Sequence, residues 1–198
     1  MPVVRDRCHP DIIRHQPPTP PMSDHDQGAP RGRRPRSGGA DKLRLERREA
    51  STGPAWELVH PRCSRRRRED LEEVDEMIAA GETEIARDEL VWLLSECPDF
   101  LEAHVRLGMI ALEEDDPKLA RGHFGRAYEL VLRTLDAAGN AQPLPHALEG
   151  NKAFFEAAKG LVHCLLETGR RTMAEDACRR IAPLDPVDPL GIQRLLRR

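Results

Sequence analysis

The chain has few aromatic residues: one tyrosine, two tryptophans and four phenylalanines among 198 residues. None of them interleaves with the arginine cluster Arg31, Arg33, Arg34 and Arg36, so that cluster has no platform for base stacking. Long apolar runs are absent too. No stretch of 18 apolar residues occurs, which argues against a transmembrane helix. The opening "MPVVRDRCHPDIIRH" lacks the apolar segment of a secretory signal, and a cytoplasmic location is the default expectation. The five cysteines, Cys8, Cys63, Cys97, Cys164 and Cys178, form no CxxC pair. Free thiols are therefore expected, with Cys97, Cys164 and Cys178 as small buried hydrophobes.

Catalytic signatures are missing as well. There is no GxSxG elbow, no HExxH, no Walker-type phosphate loop and no GxGxxG after a strand, so no enzyme and no cofactor are expected. His60 and Cys63 carry metal-ligating atoms, but two ligands do not make a zinc site. His163 and Cys164 are adjacent on a helix and point about 100° apart. No metal is expected.

What is present is divided unevenly along the chain. Ten of the 17 prolines lie between Pro2 and Pro61. Residues 1–65 carry 13 Lys/Arg against 8 Asp/Glu, and residues 66–198 carry 18 against 26. A basic, proline-rich arm precedes an acidic body. Residues 1–55 bury too little apolar surface to offset their ordering entropy and are expected to be disordered. Within them, Asp41 to Ala50 is at most a transient helix, and Met22 opens "MSDHDQG", which reads as an ordinary protein start. Residues 56–66 are expected to be an extended lead-in, with Trp56, Leu58 and Val59 packing on the first helix. Arg65 to Arg68 then sit at a helix start with Ser64 as N-cap, where cations oppose the helix dipole.

Beyond the arginine run the hydrophobic period becomes helical. Leu71, Val74, Met77 and Ile78 form one stripe, and Ile85, Leu90, Leu93 and Leu94 a second. Gly81 separates them as a helix stop, and Pro98 ends the second run. Asp99 with Glu102 resembles a capping box, and Asp116-Pro117 is an N-cap followed by a first-turn proline. Superposing Gly81, Ile85, Ala86 and Leu90 on Asp115, Leu119, Ala120 and Phe124 gives a 34-residue shift between helix pairs.

On these residues, "LGMIALEEDDPKLARGHFGRAYEL" resembles a tetratricopeptide repeat. Leu107 and Gly108 match its Leu-Gly pair, and Ala120, Phe124 and Ala127 match the small–large–small pattern of its second helix. Gly108 and Ala120 would allow close helix approach, with Phe124 filling the space between units. Residues 67–100 match more loosely. A third copy over residues 155–188 fits through Leu161, Gly169, Ala174 and Pro186, after an insertion over residues 135–154. Residues 189–198, opened by Asp188-Pro189, would cap the array. The resemblance implies an all-α, right-handed superhelical array of helix-turn-helix pairs over residues 67–198.

The family's role implies a non-catalytic scaffold or adaptor whose concave groove binds a peptide or helix of another protein. Carried over position by position, the groove would present Leu71, Asp75 and Ile78 from the first repeat. Glu102, Val105, Arg106, Met109 and Leu112 would come from the second, and Lys159, His163 and Leu166 from the third. Members that clamp chaperone tails use lysines, asparagines and an arginine. The matching positions here are Leu71, Asp75, Arg106, Glu156 and Gly160, of which only Arg106 fits, so no such clamp is expected. The competing reading is a nucleic-acid-associated factor using the arm and Arg65–Arg68, although Glu69, Asp70, Glu72 and Glu73 flank that run and disfavour phosphate binding. No membrane partner is expected, and self-association stays open.

Overall fold

The computed structural model describes residues 42–50 and 53–197. The expectation of disorder for residues 1–41 lies outside them. The described chain is mostly helical, with one two-stranded antiparallel sheet. Strands β1 (Arg44–Ala50) and β2 (Gly53–Val59) are followed by α1 (Arg62–Arg66), α2 (Arg68–Ala79), α3 (Thr83–Glu96), α4 (Leu101–Glu113) and α5 (Pro117–Ala137). A 3-10 turn at Glu149–Asn151 leads into α6 (Lys152–Glu167), α7 (Arg171–Ile181) and the short α8 (Ile192–Leu195).

The helix breaks fall where the local chemistry places them. Gly81 and Gly169 follow α2 and α6 with positive φ, the left-handed conformation that a glycine enters without a Cβ penalty. The Asp116 carboxylate accepts from the backbone N–H groups of Lys118 (3.1 Å) and Leu119 (2.9 Å), capping α5 with Pro117 in its first turn. Three other expected starts shift. Ser64 lies inside α1, its hydroxyl donating to the Pro61 carbonyl (2.9 Å), so it caps nothing. The arginine run is a joint rather than one first turn: Arg65 and Arg66 close α1, Arg67 links, and Arg68 opens α2. The N-cap of α4 is Phe100 without a side-chain bond; Asp99 instead sits 3.9 Å from Arg126. Asp188 accepts from the N–H groups of Ile192 (2.7 Å) and Gln193 (3.0 Å), but α8 begins beyond Pro189, at Ile192, with Gly191 as its N-cap.

Helix α4 is the wall shared by two apolar clusters. On one side Ala103, Leu107 and Ile110 join Leu71, Val74, Leu90 and Leu93 of α2 and α3. On the other, Leu101, Val105 and Ala111 join α5, α6 and α7. Phe124 of α5 sets the spacing there. A Cβ added at Gly108 would meet its ring at 2.7 Å, and one added at Gly160 would meet it at 2.6 Å. The ring therefore lies directly on the backbones of both α4 and α6. The close approach expected at Gly108 is present, and Gly160 supplies a second one that the repeat pattern does not mark.

The expectation of disorder fails for residues 43–50 and 53–55. Leu43 and Leu58 are buried in the α4–α7 cluster, with Leu45 and Trp56 packed against it. Trp56 therefore packs on this larger cluster, not on the first helix. The segment Asp41 to Ala50, expected to be helical at most, is a strand from Arg44 on. The insertion secures the hairpin. Asn151 is fully buried; its carboxamide accepts from Leu58 N–H (2.9 Å) and donates to the Trp56 (3.0 Å) and Pro145 (2.9 Å) carbonyls. Trp56 N–H also donates to the Pro143 carbonyl (2.9 Å). The same insertion reaches the C-terminal turn through Leu144 N–H on the Leu184 carbonyl and His146 N–H on Asp185, both 2.8 Å.

The cysteines divide. Cys164 and Cys178 are buried free thiols, as expected. Cys63 and Cys97 form a disulfide, which corrects the expectation of a free, merely hydrophobic Cys97. Their 34-residue separation conceals the pair, and the return of α1 onto the α3–α4 turn brings their Cα atoms to 5.7 Å.

Two sets of substitutions test this packing. Gly108→Ala or Gly160→Ala should each cost about 1–3 kcal/mol of unfolding free energy, because the Phe124 ring must leave its place. Asn151→Ala strands a buried N–H and two carbonyls and should cost about 2–4 kcal/mol. Urea unfolding monitored by circular dichroism checks both; parent-like midpoints would refute the contacts.

Candidate functional site

The hairpin, α1, the insertion and the first helix of each pair enclose a cleft of about 520 Å³. Strand β2 contributes Glu57, Leu58 and Val59, and the linker contributes His60. Arg65 and Arg68 flank it from α1 and α2, and Glu149, Gly150 and Lys152 from the insertion and the start of α6. Leu71 and Asp75 of α2, Glu102 and Arg106 of α4, and Ala153 and Glu156 of α6 form its wall.

The wall's charges are paired across elements. Arg106 holds Asp75 through two hydrogen bonds, of 3.0 and 2.9 Å, tying α4 to α2. A bidentate guanidinium–carboxylate pair fixes geometry as well as charge. The Asp75 and neighbouring carboxylates outweigh burial and raise the Arg106 pKa further. Arg48 and Glu57 pair across the hairpin at 2.9 Å. Arg68 and Glu72 stand 4.0 Å apart with both side chains largely exposed, a pair worth little. Lys152 pairs with Glu149 at the insertion edge.

His60 is the group most enclosed by acceptors, and its side chain is largely buried. Nε2 lies 2.8 Å from the Gly150 carbonyl, and Nδ1 lies 3.2 Å from a Glu102 carboxylate oxygen. The second contact is a charge pair outside hydrogen-bond alignment, leaving both its atoms buried without a directed bond. With oxygens facing both ring nitrogens, the imidazolium fits this place better than either neutral tautomer. Burial alone would lower the His60 pKa, but Glu102 and the Gly150 carbonyl outweigh it and hold it above the ordinary value. Burial likewise works against the Glu102 carboxylate, yet His60 keeps its pKa below the ordinary value. This His has no free nitrogen with which to act as a base.

Leu71, Asp75, Glu102 and Arg106, expected in a groove, do meet in one cleft. The other expected groove residues do not join them. Val105 is 1% exposed and belongs to the α4–α7 core, so its assignment to the groove surface is corrected. Leu71, though at the cleft wall, is itself 7% exposed and mainly core. Ile78 packs partly buried against the α2–α3 cluster, and Leu112 and Leu166 against the other. Met109 is 52% exposed, Lys159 is exposed and His163 half-buried, and none lines the cleft.

His60, Arg48, Glu57, Glu149 and Gly150 fall outside the groove assigned by the repeat register, because they come from the arm, the lead-in and the insertion. The one signal at His60, its neighbour Cys63, points to metal. Among the described residues no cluster of three or more His, Cys, Asp or Glu could hold an ion. His104, in α4, is buried; burial drives its pKa down to about 4 against the opposing Pro98 carbonyl contact. Among the described residues no helix is long and apolar enough to cross a membrane.

No family model, curated protein or solved structure matches this chain.

The His60 contact has a pH signature. A His whose folded pKa is raised adds stability that is complete below its unfolded value of 6.5 and is lost as pH rises through the folded value. A carboxylate with a lowered folded pKa adds stability that is lost as pH falls below 4.5. The stability difference between the parent chain and His60→Ala should therefore shrink between about pH 6 and about pH 8.5. Urea midpoints of both proteins at the two pH values measure it, and a constant difference would refute a charged His60.

Proposed function

We propose that this chain is a non-catalytic interaction scaffold whose cleft takes a segment of another protein. Its three consecutive helix pairs, α2–α3, α4–α5 and α6–α7, are read as degenerate tetratricopeptide units stacked in a right-handed array, with α8 as cap. The observation that carries the reading is the meeting of Leu71, Asp75, Glu102 and Arg106 in one cleft, since these positions follow from the repeat register. The close packing of Phe124 on Gly108, the glycine of the Leu-Gly pair, supports the same register.

The cleft's chemistry suits an extended, mixed-charge segment. Its rim offers charged groups of both signs, and between them Leu58, Val59, Leu71, Phe100 and Ala153 give the lining an apolar share comparable to its polar one. Specificity would come from placing opposite charges along the segment, and rim charges govern association rate more than affinity. The nucleic-acid reading gains nothing here. Arg48, Arg65, Arg68, Arg106 and Lys152 line the cleft beside Glu57, Glu72, Asp75, Glu102, Glu149 and Glu156, so it lacks the excess positive charge that phosphate binding needs.

A photo-crosslinking residue at Glu156, which is exposed on the cleft wall, should join the chain to a polypeptide partner in cells. The same residue at Met173, outside the cleft, serves as reference. Arg65→Glu should slow formation of the Glu156 crosslink and change its salt dependence, since a rim charge acts chiefly on the association rate. Equal crosslinking from the two positions would overturn the cleft as the interaction site.

A further inference from the structure

We propose that Cys63–Cys97 is a thiol–disulfide exchange site, and that its reduction releases α1 from the cleft while the helical body stays folded. The bond joins α1 to the turn between α3 and α4. Cys97 is fully buried in the α2–α3 cluster, whereas Cys63 is only partly covered. An attacking thiolate therefore reaches the Cys63 sulfur, and Cys97 is the leaving group. Arg62, Arg65 and Arg66 are exposed around Cys63, and their positive charge draws an anionic thiolate to that sulfur.

The exchange balances with a dithiol as reductant. Its first thiolate attacks the Cys63 sulfur, forming a mixed disulfide and expelling Cys97, which takes up a proton. Its second thiolate attacks the mixed disulfide and frees the Cys63 sulfur, which takes up the second proton. The protein gains two electrons and two protons, and the dithiol leaves as its own disulfide.

The consequence for the cleft follows from how little else holds α1. This helix has five residues, too few to be stable alone. Apart from the disulfide, its one buried residue is Ser64, whose hydroxyl bonds within the segment, to the Pro61 carbonyl, and ties it to no other element. The anchors on either side of it are His60 upstream and Arg67 downstream. Arg67 bonds Asp70 (3.0 Å) and lies 4.4 Å above the Trp92 ring. Ser64 and Arg65 line the cleft, so cutting the disulfide frees one wall. Regulation of the cleft rests on the interaction reading above, but release of α1 does not, and the test below reads only that release.

The full-length chain purified in air is denatured without reductant, alkylated and mapped by peptide mass; Cys164 and Cys178 should be modified and Cys63 and Cys97 should not, whereas all four should react after dithiothreitol. Modification of Cys63 and Cys97 before reduction would refute the bond. Native oxidised protein, dithiothreitol-reduced protein and Cys63→Ser are then digested with trypsin, and cleavage after Arg65 to Arg68 is followed by mass. Local opening exposes a backbone that the closed form shields, so cleavage there should speed up about tenfold in both reduced and variant protein. Far-UV circular dichroism should stay unchanged. Equal cleavage rates in all three samples would overturn the release of α1. Loss of helical signal on reduction would overturn it too, by making the bond a staple of the whole fold.

Discussion

The distance between α4 and α6 depends on one ring lying on two bare backbones. Phe124 fits because residues 108 and 160 carry no side chain, and even a methyl group at either would come within 2.7 Å of it. Glycine in a helix interior costs about 1 kcal/mol relative to alanine, so these two positions weaken their own helices. The return is contact area: the Phe124 ring meets two helices at once. Fixing α4 against α6 also fixes which side of each helix faces outward. Glu102 and Arg106 on α4, and Ala153 and Glu156 on α6, consequently reach a common cleft.

The hairpin depends on a different kind of interaction. Its sequence is too polar to collapse on its own, and a two-stranded hairpin in isolation is marginal. It gains order from outside itself. Leu43 and Leu58 insert into the α4–α7 cluster, and Asn151 joins the backbone of β2 to the insertion. The insertion is thus neither spare length nor a simple spacer. Without it, the Leu58 N–H and the Trp56 carbonyl would lose buried partners, at about 1–3 kcal/mol for each unsatisfied group.

The helical body is largely legible in the sequence because its signals are local. Apolar residues at three- and four-residue steps mark faces, and Gly81, Pro98, Asp116-Pro117 and Gly169 mark breaks. The second helix pair is clearest because Gly108, Ala120 and Phe124 carry a packing rule as well as a period. What escapes the sequence is non-local. β1 and the residue before it show only the two alternating leucines Leu43 and Leu45, too short a pattern to stand out from a charged arm. The Cys63–Cys97 bond and the His60–Glu102 pair join residues far apart in the chain, and no spacing rule flags either. In the cleft, Asp75, Glu102 and Arg106 are residues that also form salt links between elements, and a polar side chain stays at the surface to make them. Val105 has no such hold on the surface, and it is covered where the neighbouring core extends over the first-helix side.

The cleft stays open for an electrostatic reason. An apolar groove of this size would tend to be filled by the chain's own hairpin, since covering about 100 Å² of apolar surface gains roughly 2.5 kcal/mol. The hairpin does fill the apolar ground beside it, up to Leu58. It stops where the wall becomes charged, at His60 against Glu102 and Arg106 against Asp75. Each of those groups is already matched, so a further segment of the same chain would have to desolvate paired charges without supplying better partners. A segment carrying its own charges in the right order meets a smaller penalty, because each pair it approaches can be shared rather than broken. The boundary between buried hairpin and open cleft therefore falls where side-chain chemistry changes from apolar to paired ions, across Leu58, Val59 and His60.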